Sequence, residues 1–578
     1  MSKPKIIVIG GGLAGLMTTI KIAELGGAVD LFSVVPVKRS HSVCAQGGIN
    51  AAKNTKGEGD SVEKHFDDTI YGGDFLANQE LPKKMCEAGP SIIDLLDRMG
   101  VMFNRTPEGN IDLRRFGGTL YHRTAFAGAT TGQQMLYALD EQVRRAETEN
   151  KVTKYEHWEL LSLILDSSRT CRGIVAMNLY TMEIKAFKAD AVVLATGGCG
   201  MIFGRSTNST ACTGSAASIA YQEGAYYANG EFIQVHPTAI PGEDKLRLMS
   251  ESARGEGGRV WTYKDGKPWY FLEEWYPKYG NLVPRDVASR AIFKVVKEMK
   301  LGVDGKDVVY LDLSHIDSKK LDIKLGGIIE IYEKFIGDNP RKVPMKIFPA
   351  VHYSMGGLWV DTHHMTNIAG LFAVGECDYQ YHGGNRLGAN SLLSCIFGGT
   401  LAGPEALAYA KGLNKSSESV SSSLFDEASQ KQISLNEKLF NADGTENVFK
   451  LHEDLGNIMT DNVTVLRYNK NLEKTEGELL KLQERYKNIS LNDKTKNANP
   501  VLPFARQLYN MLHLARAITL GALKRNESRG AHYKPDFPDR NDAEFLKTSK
   551  VSWTPEGPKL EWEEVDIRWI KPRPRKYT

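Results

Sequence analysis

A chain of 578 residues has room for several domains of the usual size and can bury a large core. Its formal net charge of +3, with 25% of residues charged, provides no basic field to hold nucleic acid, and a mean hydropathy of −0.34 fits a soluble globular protein. No apolar run approaches the about 20 residues that cross a bilayer. The seven scattered cysteines contain no C-x-x-C pair; they read as reduced thiols and exclude an iron–sulfur cluster or thiolate zinc site inside this chain.

The first predicted unit is "KPKIIVIGGGLAGLMTTIKIAELGGAVDLFS": a short buried strand, a glycine turn, an amphipathic helix and a second strand. Its apolar start is read as this unit rather than as a signal peptide, because the glycine cluster interrupts the apolar core. Gly10, Gly12 and Gly15 satisfy G-x-G-x-x-G between strand and helix, the context in which the spacing marks a dinucleotide cradle. Gly10 permits the tight turn, Gly12 the approach of a pyrophosphate and Gly15 close helix–strand packing, while Leu13 and Ala14 open a helix whose free N–H groups favour anions. The second strand ends in Ser33, where a carboxylate would grip a ribose more strongly. "RSHSVCAQGGIN" (39–50) follows, with small residues for a backbone lying close to something flat or charged, and a histidine, His41, near its head.

Further on, "DAVVLATGGCG" (190–200) and "NIAGLFAVGECD" (367–378) are each a buried strand running into a glycine turn. The competing reading of either taken alone is an ordinary α/β turn. Together with the first unit they resemble the FAD-binding domain of two-dinucleotide-type flavoproteins, with Glu376 on the ribityl or ribose side. "KGLNKSSESVSSS" (411–423) is a serine-rich linker. The next two stretches, "LEKTEGELLKLQERY" and "FARQLYNMLHLARAITLGALKR", carry helical periodicity, with Leu508, Met511, Leu512, Ala515 and Ile518 on the apolar face of the second. "KLEWEEVDIRWIKPRPRKYT" alternates and then turns basic, which predicts a strand followed by an exposed arm. The expected fold is α/β: a Rossmann-like FAD-binding domain (1–235 and 352–410) interrupted by a capping domain (236–351), then a helical domain (411–527) and a small C-terminal module (528–578).

The order of motifs resembles the flavoprotein subunit of succinate dehydrogenase and quinol:fumarate reductase. The resemblance runs over nearly the whole chain, through "RSHSVCAQGGIN", "FGG", "HPTAI", "ESARGEGG", "PRDVASR", "HYSMGG", "GGNRLGANSLL" and "ESRGAH". It is nearest to flavoproteins that pair with a single di-haem cytochrome b anchor. It implies FAD bonded covalently to His41, a reasonable role for a neutral imidazole. Ser40, Ala45, Gln46, Gly47, Gly48, Ser391 and Leu392 would also contact the cofactor. Ser215 stands in "CTGSAAS" where some relatives have an acidic contact.

For the substrate, the resemblance implies a dicarboxylate held by Phe116, His236, Ser250, His352 and Arg386, with Arg285 exchanging the proton and Glu251 and Arg254 forming its relay. Those residue types suit such a ligand, since a dianion beside a flavin needs cationic and hydroxyl donors at both ends. The resemblance further implies hydride transfer to or from flavin N5, electrons passed to an iron–sulfur subunit on a quinone-reactive cytochrome b anchor, and a peripheral position on the cytoplasmic face of a bacterial membrane. The alternatives are an L-aspartate oxidase or soluble fumarate reductase, both lacking the histidine of this motif, and a flavin-binding scaffold without turnover. His363 and His364 are expected in a solvated turn, with no metal site, and His382 near the flavin.

Overall fold

The computed structural model describes residues 4–242 and 246–577. Its centre is a five-stranded parallel sheet in the order Leu371–Ala373, Ala191–Leu194, Lys5–Ile9, Ala28–Ser33, Val152–Glu156. Residues 6–9 and 191–194 are buried on both faces, as continuous apolar strands of a parallel sheet should be. Gly10 has φ +118°, and a Cβ there would lie 2.1 Å from Ala195 O; only glycine makes this turn. At Gly15 a Cβ would stand 1.9 Å from Gly10 O, so the helix Leu13–Glu24 rests directly on the turn before it.

That helix packs along the helix Asn390–Lys411 through the latter's small residues: a Cβ on Gly399 or Gly403 would meet the backbone oxygens of Ala14 or Thr18 at 2.8 Å. Contrary to the expectation from sequence, Asn390–Lys411 does reach the length and apolarity of a membrane span, but 61% of that window is buried inside the protein. Its glycines and alanines are apolar because two helices touch there.

The capping domain is built on a six-stranded sheet, with the helices Arg285–Phe293 and Ser318–Ile336 adding to its core. It leaves and re-enters the flavin domain through two antiparallel strands, Ile233–Ile240 and Met345–Ser354, paired from Ile233↔Ser354 to Ala239↔Phe348. The expected boundaries at 235/236 and 351/352 therefore fall inside paired strands.

Helices Val448–Asn462, Asn469–Tyr486 and Val501–Lys524 form the bundle, and the predicted stripe Leu508, Met511, Leu512, Ala515 and Ile518 is fully buried. The stretch 411–423 is docked rather than free: Ser417 is buried and its N–H donates to Asp190 Oδ1 at 2.6 Å. The hairpin Lys547–Ser552/Lys559–Glu564 pairs with Tyr227–Ala228, which stitches the C-terminal module into the flavin domain.

Two further sequence expectations fail. The basic arm is not simply exposed: Tyr577 is buried in the capping-domain core, and Arg575 is ion-paired with Asp286 at 2.6 Å. Arginine's apolar stem and forked charge suit a buried carboxylate as well as solvent. Nor is the histidine pair uniformly solvated. His363 is exposed, 3.2 Å from Glu405, but His364, at φ +64°, turns inward; Ala373 O and Tyr381 Oη lie 3.0 and 2.7 Å from its ring nitrogens.

Candidate active site

A cavity of about 630 Å³ runs from the first glycine turn to the capping domain. Its near end is lined by Gly10, Gly12, Leu13, Ala14 and Ser33, its middle by Ser40, His41, Ala45, Gln46, Gly47, Gly48, Ser215, Glu376, Ser391 and Leu392, and its far end by Phe116, His236, Ser250, Glu251, Arg285, His352 and Arg386. Of the sequence-predicted residues, Gly15 and Arg254 lie behind this wall, Gly15 under the turn and Arg254 against Glu251. His382 packs edge-on to Tyr353 with Ser394 Oγ 3.2 Å from its Nε2, and does not line the cavity.

The wall is shaped by backbone. Gly47 and Gly388 leave room for the Phe116 ring, which would stand 2.7 and 2.9 Å from a Cβ at either position. Arg114 donates to Gln46 O and Gly47 O and so fixes the loop after His41. Ala389 takes the left-handed conformation, φ +65°, to start the helix Asn390–Lys411 at the cavity wall. A strained alanine here presents a helix N-terminus, with its unpaired N–H groups, to whatever fills the middle section. His41 lies 3.1 Å from Asn208 Nδ2 through Nε2, while its Nδ1 accepts from Ser209 N at 3.2 Å. Ser215 Oγ accepts from Asn510 Nδ2 at 2.7 Å, so this serine is tied to the helical domain.

The far end concentrates positive charge on one neutral amide and one carboxylate. Arg285 and Arg386 both donate to Gln234 Oε1, at 2.9 and 2.8 Å, and Arg285 Nε donates to Glu251 Oε2 at 2.7 Å. Glu251 is shared: its other oxygen accepts from Arg254 Nη2 at 2.9 Å, and Arg254 in turn donates to Asn281 O at 2.7 Å. Burial, then Arg285, pulls Arg386 down to about 9. Burial, then the neighbouring arginines, holds His236 and His352 well below the usual imidazole range, so both rings are neutral. Thr238 N donates to His236 Nδ1 at 3.2 Å, and Thr207 Oγ1 lies 2.7 Å from His352 Nδ1. The rings, 5.0 Å apart, come from the two boundary strands of the capping domain.

Gln234 and Glu159 are among the lining or supporting residues that sequence reasoning missed. Gln234 sits in a buried strand, where a glutamine carries no motif. Glu159 is buried at the near end with Ser33; Gln507 Nε2 donates to its Oε1 at 2.6 Å, and burial pushes its carboxyl up to about 7. Its signal was the very absence noted at Ser33: an acidic residue from elsewhere stands beside the place where the strand's own carboxylate is lacking.

The cavity fits FAD. Besides the side-chain-free glycine turn, it leaves Ser40 Oγ, Gln46 Oε1, Glu159 Oε2, His236 Nε2 and Arg386 Nε buried without a partner among the described residues. Buried polar atoms are rarely left so, and a long ligand with polar groups along its length would satisfy them.

Comparison with known proteins agrees. Residues 5–392 match the FAD binding domain family, and residues 452–577 match the fumarate reductase flavoprotein C-terminal family. The chain is 69% identical over 580 residues to the succinate dehydrogenase flavoprotein subunit of Bacillus subtilis (strain 168), covering 100% of this chain and 99% of that one. The chain belongs to the succinate dehydrogenase/fumarate reductase flavoprotein subunits. It is 34% identical to the fumarate reductase flavoprotein subunit of Escherichia coli (strain K12) over 99% of this chain and 95% of that one. A solved E. coli quinol fumarate reductase variant superposes with a TM-score of 0.93 at 33% identity, over 99% of this chain and 98% of that chain. This flavoprotein subunit is thus an FAD-binding oxidoreductase of the complex II type, a membrane-associated peripheral subunit that works with partner subunits. An L-aspartate oxidase or soluble fumarate reductase is not favoured.

Proposed function

We propose that this subunit interconverts succinate and fumarate at the far end of the cavity, with FAD covalently attached to His41. The observation that carries the reading is the pair Arg285 and Arg386, converging on Gln234 Oε1 beside two neutral histidines. A dicarboxylate entering there supplies negative charge beyond the single carboxylate, Glu251, that Arg285 shares with Arg254. Arg386 grips one carboxylate with its planar fork, and His352 lies alongside; His236 and Ser250 donate to the other. Phe116 packs over the bound acid. When bound, FAD supplies the hydride acceptor or donor at N5.

Arg285 holds the exchangeable proton on the substrate side, and the Glu251–Arg254 pair behind it offers a route inward: a carboxylate shared by two guanidiniums can accept from one as it returns to the other. Glu376 and Glu159, both lining the cavity, would accept from the cofactor's ribityl and ribose hydroxyls. Electrons leave to an iron–sulfur subunit and then to a quinone-reactive cytochrome b anchor, since no cluster of metal-ligating side chains is found among the described residues. The complex sits on the cytoplasmic face of a bacterial membrane.

The test is the colour of the protein. Succinate should bleach the flavin of the purified chain, and the chain should reduce small artificial acceptors with succinate while showing little quinone activity. A flavin untouched by succinate but reduced by L-aspartate, with release of hydrogen peroxide, would overturn the reading.

A further inference from the structure

The basic segment after the last strand lies across the seam between the flavin and capping domains. Arg573 pairs with Asp67 on the helix Val62–Gly72 at 2.6 Å, and Lys576 N donates to Tyr71 Oη on the same helix at 2.6 Å. The Tyr577 ring meets Tyr71 edge-on at 5.7 Å and, on the capping side, Tyr279 at 5.3 Å. Between these contacts Arg575, its side chain only 8% exposed, reaches Asp286 on the capping helix Arg285–Phe293, with Nη1 donating to Oδ2 at 2.6 Å and Nη2 to Oδ1 at 3.1 Å.

Asp286 is the residue after Arg285, in the first turn of its helix. Its two oxygens accept from four donors. Arg290 Nη2 joins Arg575 on Oδ2 at 3.2 Å, and Asn385 Nδ2 joins it on Oδ1 at 3.0 Å. Asn385 precedes Arg386, and its own Oδ1 accepts from Gln234 Nε2 at 2.9 Å. Gln234 Oε1 then accepts from Arg285 and Arg386. An unbroken line of hydrogen bonds thus runs from Arg575 through Asp286, Asn385 and Gln234 to both arginines facing the substrate.

We propose that Arg575 is a positioning residue for the succinate/fumarate reaction: by pinning Asp286 across the domain seam it sets the helix turn that presents Arg285 and the loop that presents Arg386. This rests on the functional reading above and deepens it. The bidentate contact explains the choice of residue. A single-pronged cation could neutralise Asp286 but could not fix the plane of its carboxylate. A small tilt of that carboxylate reaches both guanidiniums, and misplacement by a fraction of an ångström costs rate more than it costs folding.

The experiment uses the assembled complex with its flavin content measured. Relative to wild type, Arg575→Gln is expected to lower kcat with succinate on the order of tenfold, with KM raised only a few-fold. Flavin content should be unchanged, and Arg575→Lys should restore part of the loss. Arg573→Ala, which breaks an exposed ion pair of the same segment, should leave both constants near wild type. Adding Asp286→Asn to Arg575→Gln should cost less than the two changes added separately, because an unpaired buried carboxylate is then removed. Should Arg575→Gln not accumulate, Arg575→Lys alone is expected to lower kcat about threefold or more. A variant that melts earlier but keeps wild-type kcat and KM makes the segment a mere structural strap and overturns the proposal. A wild-type complex that succinate does not bleach removes the underlying reading itself, and the proposal with it.

Discussion

Arg285 and Arg386 donate to one and the same oxygen, Gln234 Oε1, at 2.9 and 2.8 Å. Two like charges, both buried, meet on a neutral acceptor, where their repulsion is poorly screened. Glu251 balances one of them from behind, which leaves Arg386 without a carboxylate partner among the described residues. The site is therefore set to take up an anion. Gln234 holds the two cations apart in a defined geometry until the substrate's carboxylates arrive.

Replacing Gln234 by leucine keeps the volume but removes the shared acceptor. Bonds to charged donors are worth roughly 1.5–3 kcal/mol each, so kcat/KM should fall on the order of a hundredfold or more. Gln234→Glu should act differently, raising KM above all, because its charge competes with the dicarboxylate. Steady-state kinetics at equal flavin content checks both, and constants within about threefold of wild type for the leucine variant would remove Gln234 from the clamp.

His41→Ser should abolish covalent attachment. In acid-denatured wild-type protein, a band fluorescent under ultraviolet light is expected at the chain's 64.1 kDa, and it should vanish in the variant. Flavin released wholly into the supernatant from mature wild-type complex would contradict the assignment.

Glu376 lines the cavity without a cationic partner at bonding distance among the described residues; its Oε1 accepts from Ser354 N at 3.0 Å, and burial pushes its carboxyl up to about 7. In the flavin-free chain the folded state keeps this proton where the unfolded state has lost it. The stabilising contribution is therefore full below about 4.5 and is lost as pH rises through about 7. Glu376→Gln keeps the acceptor and cannot ionise. It should match wild type near pH 4 and be the more stable at pH 8, at about 1.4 kcal/mol for each unit by which the carboxyl is raised. Parallel melting curves of the flavin-free proteins across that range would contradict the burial of a titrating Glu376.

Much of this was legible in the sequence, for reasons that differ by element. The glycine turn at Gly10–Gly15 was readable because its geometry admits no side chain, and the stripe from Leu508 to Ile518 because burial imposes the helical period. The clamp was readable only as an ordered set of motifs, since any one arginine or histidine alone reads as an ordinary polar residue. What escaped was long-range. Gln234 looks like any residue of a buried strand until the fold brings Arg386 to it across 152 residues. Arg575 reads as a solvated basic residue until Asp286, 289 residues away, receives it. His364 was misread because a positive φ, not composition, turns it inward.

The most direct test of the central claim separates binding from chemistry at the two arginines. Arg285→Lys keeps a positive charge but moves the proton, so turnover should collapse while dicarboxylate affinity, read from flavin spectral shifts, stays within about tenfold, or ~1.4 kcal/mol. Arg386→Lys loses the planar grip, so affinity itself should weaken markedly. If Arg285→Lys retains most of its turnover at saturating fumarate, Arg285 is not the proton carrier, and Glu251 or His236 must take that role.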